Sequence, residues 1–248
     1  NKTIQNLNIQ RNMNLSVKQE LMSDVENFER EANLLDNIVP SVLNLPKKYS
    51  EPSALGSFLA DEIKTEAQSD IAFISTGFLM KPLEYQPNSY ITKYKLKKAM
   101  IAENFIKKAE LSAEEIYEVF QHAMQKNGYS NGGSNQKFLQ CSNNIRLEGQ
   151  SNPVKGIWEL KQVYINDEPL FDSDMNPINP EEKYVCAMDA YIADGGQGFI
   201  TLQKAKKEDV IFDNKPLRIN DALLNGLVKA PQKYKEGETY PHFIIKTL

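Results

Sequence analysis

The hydrophobic residues change period midway along the chain, and that change limits the fold more than any single motif does. Before about residue 126 apolar positions recur every three or four residues, and after about residue 143 they read as strands. Leu21, Val25, Phe28, Ala32, Leu35 and Ile38 line one face of a helix predicted from Leu15, with Ser16 as its N-cap and Pro40 as its limit. Ser53 caps a second predicted helix to about Gln68, turning Leu55, Phe58, Leu59, Ile63 and Ala67 inward. Ser112 and Glu115 have capping-box spacing, predicting a helix to about Lys126 with Ile116, Val119, Phe120 and Ala123 on its inner face. Strands are predicted at 71–76, 104–110, 143–148, 157–166, 183–192 and 198–204, with DEP and NPINPEE as turns. A last helix is expected at 220–229 and a strand in the tail 242–248, while ITKYKLKKAMI fits either state. The result is an α+β mixture, with helices mainly in the first half and strands mainly in the second.

Charge and side-chain counts narrow the function. The chain of 248 residues carries 29 Lys plus Arg against 33 Asp plus Glu, a formal charge of −4. That balance provides no strong positive field, so no nucleic acid polymer is expected as a partner. No apolar run approaches the ~18–20 residues of a membrane span. Only four arginines occur, Arg11, Arg30, Arg146 and Arg218, so the chain is poorly equipped for bidentate grip of phosphate or carboxylate. Cys141 and Cys186 read either as two buried small hydrophobes or, in an exported protein, as one disulfide. With His122 and His242 they are the whole supply of Cys and His ligands, and none has zinc-cage spacing. No metal and no cofactor is therefore expected.

Other candidate chemistry is sparse. Asp61, Asp189 and Asp194 have no visible acid–base partner and read as solvated or capping residues. The segment Ser130–Ser134 has a Gly pair but no phosphate-loop lysine. The lysine runs 93–98 and 204–207 read as solvated faces, and His122 as a surface or satisfied-core histidine.

Three blocks carry a resemblance. They are ALGSFLADEIKTEAQSDIAFISTGFLM (54–80), KFLQCSNNIRL (137–147) and KYVCAMDAYIADGGQGFITL (183–202). In this order they resemble the C-terminal, nucleoside-binding domain of the 5′-nucleotidase family, over about residues 50–230. The resemblance implies an α+β domain with mixed sheets flanked by helices at 51–248, preceded by an N-terminal helical extension over 1–50. The resemblance implies that a nucleoside or nucleotide is a candidate ligand, and that a separate metallophosphoesterase domain or subunit is a candidate partner. It also implies a periplasmic, cell-surface or extracellular location. The family's Gly-Asn-His-Glu/Asp and Gly-His-x-His stretches, which hold its two hydrolytic metals, do not occur in this chain.

Carried over by position, the resemblance gives a mixed site. Phe199, after Gly195, Gly196, Gln197 and Gly198, matches the second aromatic that stacks on the base; its other reading is a core residue opening the strand FITL. Ser75 or Thr76 stands where the family has the asparagine of Asn-Gly-Gly-Gly-Ile-Arg, and Met80 stands where that loop ends in arginine. Lys47 and Lys48 loosely replace the arginine before the first helix. Ile101-Ala102 replace the family's Pro-Phe with Phe105 nearby, and Gln197 replaces the aspartate of Gly-Gly-Asp-Gly. The implied substrate contacts are thus Phe199, Ser75, Thr76, Gly196, Gln197 and Gly198, with most of the family's polar grip lost. Three readings stay open. The first is a non-catalytic binding or accessory domain with an eroded nucleotide site. The second is a fragment or subunit of a secreted nucleotidase, with helix 15–39 as interdomain connector. The third is a scaffold that keeps only the fold.

Overall fold

A computed structural model describes residues 15, 17–19, 22–23, 54–78, 104–124, 138–152, 157–229 and 243–246. Two sheets and the helix between them set the architecture. Strands β1 (Ile71–Ser75), β2 (Ile106–Leu111), β3 (Leu139–Cys141), β7 (Tyr184–Asp189) and β8 (Lys207–Asp209) form the first sheet, in the order β3-β1-β7-β2-β8. Among the described residues, only the β1–β7 pair in it is parallel. Strands β4 (Ile145–Asn152), β5 (Ile157–Ile165), β6 (Glu168–Pro169) and β11 (Phe243–Lys246) form the second, in the order β11-β4-β5-β6. A small hairpin of β9 (Ile211–Phe212) and β10 (Lys215–Pro216) stands apart.

Alternation along the first sheet explains its two covers. Ile71 and Phe73 of β1, with Cys186 and Met188 of β7, face the main core. The residues between them, Ala72, Ile74 and Ala187, are equally buried on the other face. Helix α1 (Ala54–Ala67) covers that second face through Phe58, Leu59 and Ile63, and α5 (Ile219–Lys229) packs on α1. On the core side, α2 (Ala113–Met124) lies between the sheets. Its Phe120 meets Phe73 edge-on at 5.6 Å, while Tyr117 donates to the Leu160 carbonyl of β5 and touches Phe171 at 5.3 Å. Burying Ile116, Val119 and Phe120 contributes ~1.5–3 kcal/mol each. The capping box forms as its spacing predicts: the Ser112 amide donates to Glu115 at 2.8 Å and the Glu115 amide to Ser112 Oγ at 3.2 Å.

The cysteines are not joined. Cys141 pairs with Phe73 on one side of β1 and Cys186 with Ile71 on the other. Two strand spacings, ~10 Å, separate them, beyond the ~7 Å that a disulfide can bridge. Both thiols are free and buried, and burial pushes each well above its ordinary range.

Three expected elements differ. The strand expected at 183–192 stops at Asp189, because that side chain caps helix α3 (Ala190–Ala193). The strand expected at 198–204 is instead helix α4 (Ile200–Lys204). Phe199 and Leu202 are buried while Ile200 and Gln203 face solvent, a spacing of three rather than two. The turn placed at DEP sits one step earlier, at Asn166 and Asp167, whose positive φ values of 52° and 66° suit a two-residue hairpin. Of the expected N-terminal extension, Leu15, Val17 and Met22 are helical and exposed; its predicted inner face lies outside the described residues. Ser53, the Leu55 side chain, Lys47, Lys48, Met80, Ile101, Ala102 and His242 also lie outside them.

Gly56 shows how the blocks depend on one another. A methyl group there would fall 2.5 Å from Gln140 Cγ, and Gln140 is buried and donates to Thr76 Oγ1 at 3.3 Å. Alanine is the better helix former by ~1 kcal/mol, but the overlap outweighs that gain. Gly56→Ala is expected to destabilise by about 1–2 kcal/mol in urea unfolding, and to become stabilising in a Gln140→Ala background. Additive effects of the two changes would show that the contact does not matter.

Candidate functional site

The three sequence blocks that carry the resemblance converge at the carboxyl end of β1. There the chain leaves the sheet in a 3-10 turn, Thr76–Phe78. Thr76 fastens that turn to the second block: its amide donates to the Phe138 carbonyl at 3.2 Å and its hydroxyl to the same oxygen at 2.7 Å. Ser75 fastens it to the third, its amide donating to Asp189 Oδ2 at 2.7 Å. Both side chains are buried, so their polar groups serve the turn.

The third block supplies a second turn. After α3, Gly195 adopts φ 90°, Gln197 φ 55° and Gly198 φ 83°, left-handed values that reverse the chain into α4. Gly196 is required for a different reason. A methyl group on it would stand 2.5 Å from the Tyr191 carbonyl oxygen and 2.7 Å from the Tyr191 ring. The two turns are neighbours: a methyl group on Gly77 would lie 3.9 Å from Gln197 Nε2. The Gln197 carbonyl lies 3.1 Å from His122 Nε2, tying this turn to α2. Gln197 Oε1 is buried and has no hydrogen-bond partner among the described residues.

The structure thus brings Ser75, Thr76, Gly196, Gln197, Gly198 and Phe199 into two adjoining turns. Their exposure differs sharply. Phe199 is 1% exposed, belongs to the main core, and meets His122 edge-on at 4.8 Å. No face of its ring is open to a base. Phe105, beside the start of β2, is 39% exposed, with the Arg218 guanidinium 5.9 Å from its ring centre.

The remaining charged candidates have structural work. Asp61 accepts the Asn143 amide at 2.7 Å and also the Asn143 side chain, holding the β3–β4 turn. Asp194 pairs with Lys107 at 2.8 Å. Arg146 lies 3.5 Å over the Tyr164 ring and bonds Glu148 at 2.9 Å. Within the 204–207 run, Lys207 donates to the Leu202 and Gln203 carbonyls at the end of α4. A depression of about 420 Å³ over β2 and β8 is lined by Lys108, Ala109, Glu110, Val185, Lys206, Lys207 and Glu208; none of these belongs to either turn. No group of three or more His, Cys, Asp or Glu side chains is gathered among the described residues.

Two residues at the junction were not singled out from the sequence as parts of the site. Asp189 joins the end of β1 to the start of α3, and Asn104 donates to it at 3.4 Å. An aspartate at a strand end, directly before the helix-forming Ala-Tyr-Ile-Ala, is a readable N-cap signal.

Comparison with known proteins follows the same blocks. Residues 32–204 match the family described as 5′-nucleotidase, C-terminal domain. A 5′-nucleotidase precursor from Thermus thermophilus superposes with a TM-score of 0.65 at 18% identity, over 92% of this chain and 42% of its own. An NAD nucleotidase from Haemophilus influenzae gives 0.65 at 17% identity, over 93% and 41%. A putative 5′-nucleotidase from Staphylococcus aureus gives 0.60 at 11% identity, over 85% and 40%. The chain thus spans about two-fifths of the length of these structures, and at such identities they speak for the fold alone. No curated protein matches significantly.

Proposed function

Because the chain belongs to the family of 5′-nucleotidase C-terminal domains, we propose that it serves recognition rather than cleavage, as a non-catalytic binding or accessory domain whose nucleoside site is eroded. The observation that carries this reading is the Phe199 ring, closed into the core against His122. Stacking on a base requires an accessible ring face. Gln197, which stands where the family has an aspartate, weakens the polar half of the grip as well. Two-metal phosphoester hydrolysis needs several histidines and carboxylates held together. Of the two histidines in the chain, His122 is occupied by the Gln197 carbonyl and the Phe199 ring.

Isothermal titration with adenosine and with AMP tests the erosion. Neither is expected to give saturable heat up to millimolar concentration. Micromolar binding that disappears in Phe199→Leu would overturn it, because the ring would then be a working platform.

A second reading is favoured by the share of the relatives that the chain covers, 42% and 41%. On that reading this domain is the C-terminal part or a subunit of a secreted nucleotide hydrolase whose metal-bearing domain lies on another segment or chain. The mass of the native protein distinguishes the two: a product of about 28.2 kDa supports a separate domain, and one of about twice that size or more supports the longer hydrolase. Among the described residues no helix is long and apolar enough to cross a membrane. A periplasmic, cell-surface or extracellular location follows from the family reading.

A further inference from the structure

We propose that Asp189 is the positioning residue of the two-turn site, a buried carboxylate that holds the Thr76 turn, the start of β2 and the Gly195–Gly198 turn in one register. The inference rests on the reading that these adjoining turns form the site. It goes beyond that reading by naming what sets their geometry.

Three contacts carry it. Asp189 Oδ2 accepts the Ser75 amide at 2.7 Å, directly before the first turn. Oδ1 accepts the Ile192 amide at 3.1 Å, which starts the helix leading into the second turn. The same oxygen accepts Asn104 Nδ2 at 3.4 Å, and Asn104 Oδ1 in turn accepts the Phe105 amide at 2.8 Å. One side chain therefore links three segments that are far apart in sequence, and Asp189 is itself 0% exposed. A carboxylate suits this position because it only accepts, and every group aimed at it donates.

Among the described residues, His122 of α2 is the titratable group that touches the second turn, at the Gln197 carbonyl and the Phe199 ring, while the charged groups of the other neighbouring elements are engaged elsewhere. From β2, Lys107 bonds Asp194 and Lys108 bonds Glu208. From α1, Asp61 bonds Asn143 and Glu62 lies against Gly226. Arg218, ahead of α5, stands beside the Phe105 ring, and Tyr191 of α3 is half exposed. Burial pushes the Asp189 carboxyl up to about 6, although the Ser75, Ile192 and Tyr191 amides and Asn104 pull it down. The folded value is above the ordinary one. Its contribution to stability is therefore fully present below pH ~4 and is lost as pH rises through about 6. Adding the proton also converts one acceptor oxygen into a donor, so the register of the turns changes over the same interval.

Amide NMR of the whole chain between pH 5 and 7.5 tests the proposal without any nucleoside, so its outcome is independent of ligand binding. The Ser75, Gly77, Ile192, Gln197 and Gly198 amides are expected to shift together with a midpoint near 6. In a His122→Gln background, which removes the imidazole beside the Gln197 carbonyl, Asp189→Asn should flatten all five curves. Should that variant fail to fold, Asn104→Ala provides the second arm: removing a donor to the carboxylate should move the common midpoint upward. Shifts confined to Ser75 and Ile192, with Gly77, Gln197 and Gly198 unmoved, would reduce Asp189 to a local cap and overturn the proposal. A midpoint unchanged by both substitutions would overturn it as well.

Discussion

Gly196→Ala is expected to cost about 3 kcal/mol or more in urea unfolding, the largest effect of any small substitution in the two turns. The reason is backbone rather than side-chain crowding. The added methyl group would sit 2.5 Å from the Tyr191 carbonyl oxygen, which belongs to α3 and cannot swing aside as a flexible side chain does. Relief requires α3 to shift, and α3 is anchored by its Asp189 cap. The flanking residues offer little slack, because Gly195 and Gln197 are already in left-handed conformations. Gly77→Ala is the matched control. Its methyl group would meet Ser75 Oγ at 3.4 Å, an ordinary contact, so a change within about 1 kcal/mol is expected. Equal stability of Gly196→Ala and wild type would mean that the second turn is not held as described.

Phe199→Ala is expected to cost about 3–5 kcal/mol, the range for emptying a fully buried aromatic site. Phe199→Leu should cost less, about 1.5 kcal/mol, because it keeps most of the volume. The contrast separates two roles for the ring. A platform waiting for a base would sit in an open cleft, and its loss would weaken binding with little effect on folding. Here the ring is 1% exposed and shares the core with Leu202 and Ile192. Near-zero destabilisation by Phe199→Ala in thermal or urea unfolding would show that the ring leaves the core in solution, reopening the stacking role.

Much of the architecture was legible because burial follows simple periods. The α1 and α2 faces read correctly from spacing at Phe58, Leu59, Ile63, Ile116, Val119, Phe120 and Ala123. The capping box at Ser112 and Glu115 likewise marked a true helix start. Sequence reading failed where a side chain overruled the apolar pattern. From 183 to 192 the residues favour a strand throughout, yet one aspartate ends it by capping the next four residues. From 198 to 204 the aromatic and β-branched run looks extended, but three left-handed residues before Phe199 redirect the chain into a helix. The neighbouring short strands β8, β9 and β10 carry too few residues to show alternation. Asp213 and Asn214, with φ 49° and 60°, do mark the β9–β10 hairpin.

The residues of the two turns could be named from the sequence, but not what surrounds them. Spacing says that Phe199 follows a glycine-rich turn; it does not say that His122, 77 positions earlier, closes one side of the ring. Nor does it say that Asp189 reaches Ser75 across 114 positions. Such contacts depend on the parallel pairing of β1 and β7, which no local pattern encodes.

On the proposed recognition role this chain should release no phosphate from AMP, and that is the most direct measurement to make. Purified protein, free of contaminating phosphatases, is incubated with AMP and added manganese or zinc. No inorganic phosphate above the buffer control is predicted. Release in proportion to protein concentration, suppressed by a chelator and retained through repeated chromatography, would contradict a role in recognition alone.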